Sequence, residues 1–132
     1  PETLEIVDAP LPTPGEGQVR VRNAASSVNP LDWHELRGTP YLVRLTRGLP
    51  QPKDGLIGSD LAGTVDAVGP GVSRFAVGDE VLGYGNGAWA EYAVVGEKGL
   101  AHRPANLGVD EAAGLGIAAL TALQALRRGG LD

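Results

Sequence analysis

The chain has no cysteine and no methionine, and only one phenylalanine, two tryptophans and three tyrosines in 132 residues. Without cysteine there can be no disulfide and no thiolate-bound zinc, structural or catalytic. Its two histidines, His34 and His102, lie far apart in sequence, which argues against an all-histidine metal site. No apolar run approaches the roughly 20 residues that span a bilayer, and no basic region followed by an apolar one opens the chain, as a secretory leader would require. Eleven basic residues stand against sixteen acidic ones, a formal net charge of −5, with both signs scattered. There is no basic stripe to follow phosphates, so no nucleic acid is expected as a partner. These absences lead us to expect a soluble, cytoplasmic, single-domain chain with no membrane contact. It opens on Pro1 rather than Met, and the natural start is expected to be missing.

Glycine (20) and proline (10) are abundant. They do not form tracts but fall between short apolar runs, which reads as turns punctuating strands. "TLEIVDAP" alternates, with Leu4 and Ile6 on one face, and "PLPTPGEG" then breaks regular structure. "QVRVRNAA" is a half-buried strand, Val19 and Val21 inward, Arg20 and Arg22 outward. A Pro- and Arg-containing stretch up to Pro52 reads as a long loop. Strand character resumes through Val65 and Val68 and ends in the turn "GPG". "FAVGDEVLGYG" and "AWAEYAVVG" are two further strands, with "GNG" (85–87) predicted as a tight reversal between them. "GLAHRP" is a last short strand. From Gly108 the period becomes helical, with Ala119, Leu120, Leu123 and Leu126 on one face. Arg127 and Arg128 suit the last turn, and Gly129 ends it.

Two glycine motifs carry little chemistry. "GLGIAA" (114–119) fits the G-x-G-x-x-A dinucleotide fingerprint, but that loop must follow a strand and open a helix, and an acidic residue should follow roughly 20 positions on. Here "DEAA" precedes it with helical character, so the small residues are read as allowing close helix packing. "GYGNGAW" lacks the Lys-Ser/Thr ending of a phosphate loop.

The densest polar segment is "SVNPLDWHELRG" (27–38). Asn29 followed by Pro30 starts a helix, an amide cap and then a proline where no N–H is needed. Asp32 suits the positive dipole end, and Gly38 stops the helix after two turns. That account leaves Trp33 and His34 without a structural reason.

Three ordered stretches, "VRVRNAASSVNPLDWHELRG", "IGSDLAGTVDAVGPGVSRFAVGDEVLGYGNGAWAEYAVV" and "ANLGVDEAAGLGIAALTALQAL", resemble the catalytic domain of the medium-chain dehydrogenase/reductase superfamily, in its zinc-independent quinone oxidoreductase branch. The resemblance implies a mainly β fold with short helices: a GroES-like, partly open β-barrel, cut from a two-domain α/β dehydrogenase. Residues 1–107 would be the GroES-like catalytic domain, and 108–132 a helical exit segment leading to a nucleotide-binding domain that is missing. It implies NADPH-dependent reduction of quinones or α,β-unsaturated carbonyls by a homodimeric parent, with this piece alone inactive and unable to hold NADPH tightly.

Carried over position by position, Asn29 stands where zinc-dependent relatives have a cysteine ligand and Ser59 where they have a histidine, so no metal is expected. The resemblance puts Asn29 near nicotinamide and substrate and brings Thr121 to the cofactor. It gives His34 a place held by a tyrosine or a proton-relay histidine in relatives; a pKa near 6.5 makes either role sensible. Asp60 follows an acidic position of the family and could equally orient backbone. Asn29 and His34 are then the candidate donors to an enolate or quinol oxygen, and Trp33, Trp89 and Tyr92 candidate walls for a flat substrate. Two other readings stay open: a co-chaperonin-like assembly module, which "FAVGDEVLGYG" also suits, and an enoyl-reductase segment of a multidomain synthase.

Overall fold

A computed structural model describes residues 4–39 and 55–131. Five strands, β1 (Gln18–Ala25), β2 (Asp60–Val68), β3 (Glu80–Tyr84), β4 (Tyr92–Gly96) and β5 (Leu100–His102), form one antiparallel sheet in the order β4-β1-β2-β3-β5. The two edge strands are consecutive in the chain, joined only by a 3-10 turn at Glu97–Gly99. From Gly96 to Leu100 an extended chain reaches at most about 14 Å, whereas the edges of a flat five-stranded sheet lie about 19 Å apart. The sheet must therefore curve round on itself without its edges pairing. This is the partly open barrel, mainly β with a few short helices, that the sequence leads one to expect.

Alternation fills its interior. Val19 and Val21 of β1, Leu61 and Val65 of β2, Val81 of β3, Val95 of β4 and Leu100 of β5 all point inward and are buried. Outside, a five-residue helix α2 (Val109–Ala113) covers part of the sheet, packing Ala112 and Ala113 on Ala62 and Leu82. Among the described residues the other helices are α1 (Pro30–Arg37), closed by Gly38 at φ 59°, a left-handed conformation that glycine adopts without strain, and α3 (Ile117–Arg128).

Three expectations need correction, and one lies outside the described residues. Residues 4–10 form no strand: Ile6 is fully exposed, because an alternating run becomes a strand only where an edge accepts it. "GNG" does not close a hairpin. β3 pairs with β2 and β5 while β4 pairs with β1, so the connection crosses the barrel mouth and follows the chain entering β2, with Gly85 N–H on Ser59 O (2.8 Å), Ala88 N–H on Gly58 O (3.1 Å) and Trp89 N–H on Ile57 O (3.1 Å). The helical tail is two helices rather than one, broken between Gly114 and Gly116. The long loop read up to Pro52 falls largely in 40–54, outside the described residues.

Candidate active site

Four polar side chains are buried among the described residues: Asn29, Asp32, Ser59 and Asp60. They come from the two segments that meet at one end of the sheet, the β1–α1 connection with α1 itself and the start of β2. Two of them are carboxylates, and no cation is paired with either among the described residues. A buried charge without a counter-ion must be held by hydrogen-bond donors, and here it is.

Asp32 Oδ1 accepts from Ser59 Oγ at 2.6 Å, and its Oδ2 accepts from the Asn29 backbone N–H at 2.7 Å. The first-turn acid thus caps its own helix and ties it to the entrance of β2. Asp60 is wholly buried, and it gathers three donors on its carboxylate: Oδ1 takes the Ile117 N–H at 2.8 Å, and Oδ2 takes Ser27 Oγ at 2.9 Å and Asn29 Nδ2 at 3.0 Å. Its backbone carbonyl accepts from Ser26 Oγ at 2.6 Å. The Ile117 N–H is the first of α3, so the carboxylate also sits at the positive end of a twelve-residue helix.

The network has a fixed polarity. A carboxylate only accepts, so Asn29 must turn its amide nitrogen toward Asp60. Ser27 spends its hydroxyl hydrogen on Asp60 and so accepts the second amide hydrogen of Asn29, at 3.1 Å. Both Asn29 amide hydrogens are therefore committed, and the side chain has only its carbonyl oxygen Oδ1 left to offer. The expectation that Asn29 donates to an enolate or quinol oxygen is corrected on this ground. Its amide does not serve helix α1 as the expected cap does, since Asp32 closes that end.

Trp89 lies beside this network. Its indole N–H donates to Ser27 O at 3.1 Å, and its ring packs so closely on Gly58, at φ 93°, that a Cβ there would collide with it. Gly116 makes a similar approach on the other side: a Cβ would meet Asp60 Cγ and Gly83 O, each at 2.8 Å. Gly116 of "GLGIAA" thus allows the start of helix α3 to pack closely against a carboxylate and a strand.

The remaining candidates are not drawn into the network. His34 Nδ1 lies 2.7 Å from Thr39 O at the far end of α1; a carbonyl only accepts, so Nδ1 carries a hydrogen and Nε2 is the nitrogen left over. Trp33 is half exposed, with the Arg37 guanidinium 4.8 Å from its ring centre and the His34 ring edge-on at 4.9 Å. Thr121 is exposed on α3. Tyr92 pairs with Arg22 on the outer face of the sheet, away from the barrel interior. Sequence reasoning missed Ser26, Ser27 and the Asp32–Ser59 bond. Two serines before "NP" look like any loop, and only the first-turn position of Asp32 gave a signal.

No group of three His, Cys, Asp or Glu residues suited to a metal occurs among the described residues, and no described helix is long and apolar enough to cross a membrane.

The sequence and the fold have matching relatives. Residues 15–105 match the Alcohol dehydrogenase GroES-like domain, and the chain belongs to that family, within the medium-chain dehydrogenase/reductase superfamily. More particularly, its relatives include quinone oxidoreductases and a trans-enoyl reductase. It is 42% identical over 129 residues to a chloroplast envelope quinone oxidoreductase homolog of Arabidopsis thaliana, covering 93% of this chain and 37% of that protein. Among solved structures, the quinone oxidoreductase of Pseudomonas syringae superposes with a TM-score of 0.78 at 34% identity, covering 97% of this chain and 38% of the other. A mycobacterial protein complexed with NADPH gives the same TM-score of 0.78 and 34% identity, over 92% of this chain and 34% of the other. The chain thus spans little more than a third of the length of these relatives.

Proposed function

We propose that this chain is the substrate-side domain of an NADPH-dependent oxidoreductase that reduces quinones or α,β-unsaturated carbonyls without a metal ion, with residues 108–132 leading toward a nucleotide-binding domain. What supports the reading is the pinned Asn29 amide in a chain with quinone oxidoreductases among its relatives. The donor set fits the cofactor: Asn29 Oδ1 is an acceptor, and the nicotinamide carboxamide and the ribose hydroxyls are donors. When bound, NADPH supplies a hydride to the electrophilic carbon of the substrate.

The chain's own residues do the rest. Asn29 orients a ligand through Oδ1, and Asp60 with Ser27 holds that amide in its only productive orientation, which makes Asp60 a positioning residue rather than an acid or base. His34, whose Nε2 is left over, is the candidate donor to the developing quinol or enolate oxygen, its ring steadied by Thr39 O. Trp89, about a third exposed beside the network, offers an apolar face to a flat substrate, and Thr121 faces the cofactor. The parent acts as a homodimer in the cytoplasm.

The test is a chimera of residues 1–132 joined to the remainder of the Pseudomonas syringae quinone oxidoreductase. It should consume NADPH on addition of p-benzoquinone, with no loss in EDTA, and N29A should cost about a hundredfold in kcat/KM, the scale of misplaced reactants. A folded chimera with no NADPH consumption, or one silenced by EDTA, overturns the proposal. Titrating NADPH into the 132-residue chain should give no micromolar binding.

A further inference from the structure

The outer face of the sheet has two halves. One, around Ala62 and Leu82, is covered by α2. On the other, Tyr92 of β4, Arg22 of β1 and Thr64 of β2 stand directly opposite one another across three adjacent strands, Arg22 pairing with both neighbours. Directly opposed residues share a face and bring their Cβ atoms within about 4.5–5.5 Å, so a guanidinium, an alcohol and a phenol project side by side. They line a concavity of about 270 Å³ whose rim is Val77 and Gly78. That rim is fixed: Gly78 N–H donates to Val65 O and Val65 N–H to Asp79 O, each at 2.9 Å.

The charges around the concavity leave a donor surplus. Asp66, the one acid lining it, is held by Arg20, with Nε at 2.6 Å and the second nitrogen at 2.5 Å from the same Oδ2. Glu80, next in the row beyond Thr64, is paired with Arg103 at 2.6 Å. Arg22 has no acceptor partner among the described residues, and the hydroxyls of Thr64 and Tyr92 make no hydrogen bond there either. Three donors lining one concavity, one of them cationic, with Asp66 and Glu80 already paired, form the complement of an oxyanion; Arg in particular presents a planar fork to carboxylate or phosphate oxygens. The volume admits a small group rather than a drug-sized ligand.

The geometry points to a second binding site, for a small oxyanion, at Arg22, Thr64 and Tyr92. It shares no residue with the Asn29–Asp60 network and does not depend on the function proposed for that network. Free phosphate, a phosphate ester or a carboxylate would present the same oxygens.

The experiment is amide NMR of the 132-residue chain titrated with inorganic phosphate at constant ionic strength, with acetate as a second arm and chloride as the control. Saturable shifts are expected at Arg22, Thr64, Gly78 and Tyr92, with Asn29 and Asp60 unmoved. Saturation by phosphate assigns a phosphate group, saturation by acetate a carboxylate, and either upholds the site. R22Q should weaken binding at least tenfold and Y92F severalfold, both with well-dispersed spectra, since these side chains lie on the surface. Shifts that chloride reproduces, shifts that persist in R22Q, or no saturable shift with either anion would overturn the assignment.

Discussion

Asn29 and Asp60 are joined amide to carboxylate at 3.0 Å, both buried, and that bond decides which end of the asparagine is left for a ligand. The same carboxylate holds Ser27 and the first N–H of α3, so one side chain organises three separate segments.

Asp60→Asn tests this arrangement. The isosteric amide sets an N–H against donors that need an acceptor, either Ile117 N–H or the Ser27–Asn29 pair. Hydrogen bonds to a charged group contribute about 1.5–3 kcal/mol each, so the variant should lose about 2–3 kcal/mol in urea denaturation with an unchanged m-value. A loss below about 0.5 kcal/mol, the range of ordinary surface changes, would show that the network is ornamental to stability.

Gly116→Ala and Gly114→Ala form a matched pair. At 116 the new methyl meets Asp60 Cγ and Gly83 O at 2.8 Å, whereas at 114 the nearest atom is Glu111 O at 3.5 Å, ordinary contact, in a right-handed conformation. Overpacking should cost about 1–3 kcal/mol at 116. At 114 the change should be neutral or stabilise by about 0.4–1 kcal/mol through the unfolded state. Thermal melts of the two variants give the comparison directly.

Ser59→Ala deprives the buried Asp32 of its 2.6 Å donor and should cost about 1–3 kcal/mol. Asp32→Ala should cost more, because it also frees the Asn29 N–H. A double-mutant cycle should return a coupling of about 0.5–3 kcal/mol for groups in one network; additive losses would mean the two act separately.

Trp89→Phe removes the indole donor to Ser27 O but keeps the ring, and should cost about 1 kcal/mol. Gly58→Ala combines a left-handed φ of 93° with a collision against Trp89, and should be the more damaging of the two. Equilibrium unfolding orders the pair, and the reverse order would mean that the segment 57–59 yields easily.

The sequence makes local features legible and non-local ones opaque. Helix α1 is readable from Asn29-Pro30 to Gly38, and β1 from the alternation of Val19, Arg20, Val21 and Arg22, because each signal lies within a few residues. The missing hairpin at "GNG" is different: whether Tyr84 and Tyr92 belong to neighbouring strands depends on β4 pairing with β1 and β3 with β5, and no turn signal records that. The site divides in the same way. Asn29 and Asp60 could be singled out through the family resemblance, but the direction of the Asn29 amide follows from Ser27 and Asp60 meeting in space across more than thirty residues of chain. Tyr92 illustrates the cost of reading a side chain without its face: one residue along the strand moves it from the interior to the exterior.

Helix α3 buries none of its residues, and its first N–H is clasped by Asp60. The carboxylate that holds this helix end is the one that orients the Asn29 amide, so the start of the exit segment and the ligand-facing oxygen of the asparagine share a single anchor.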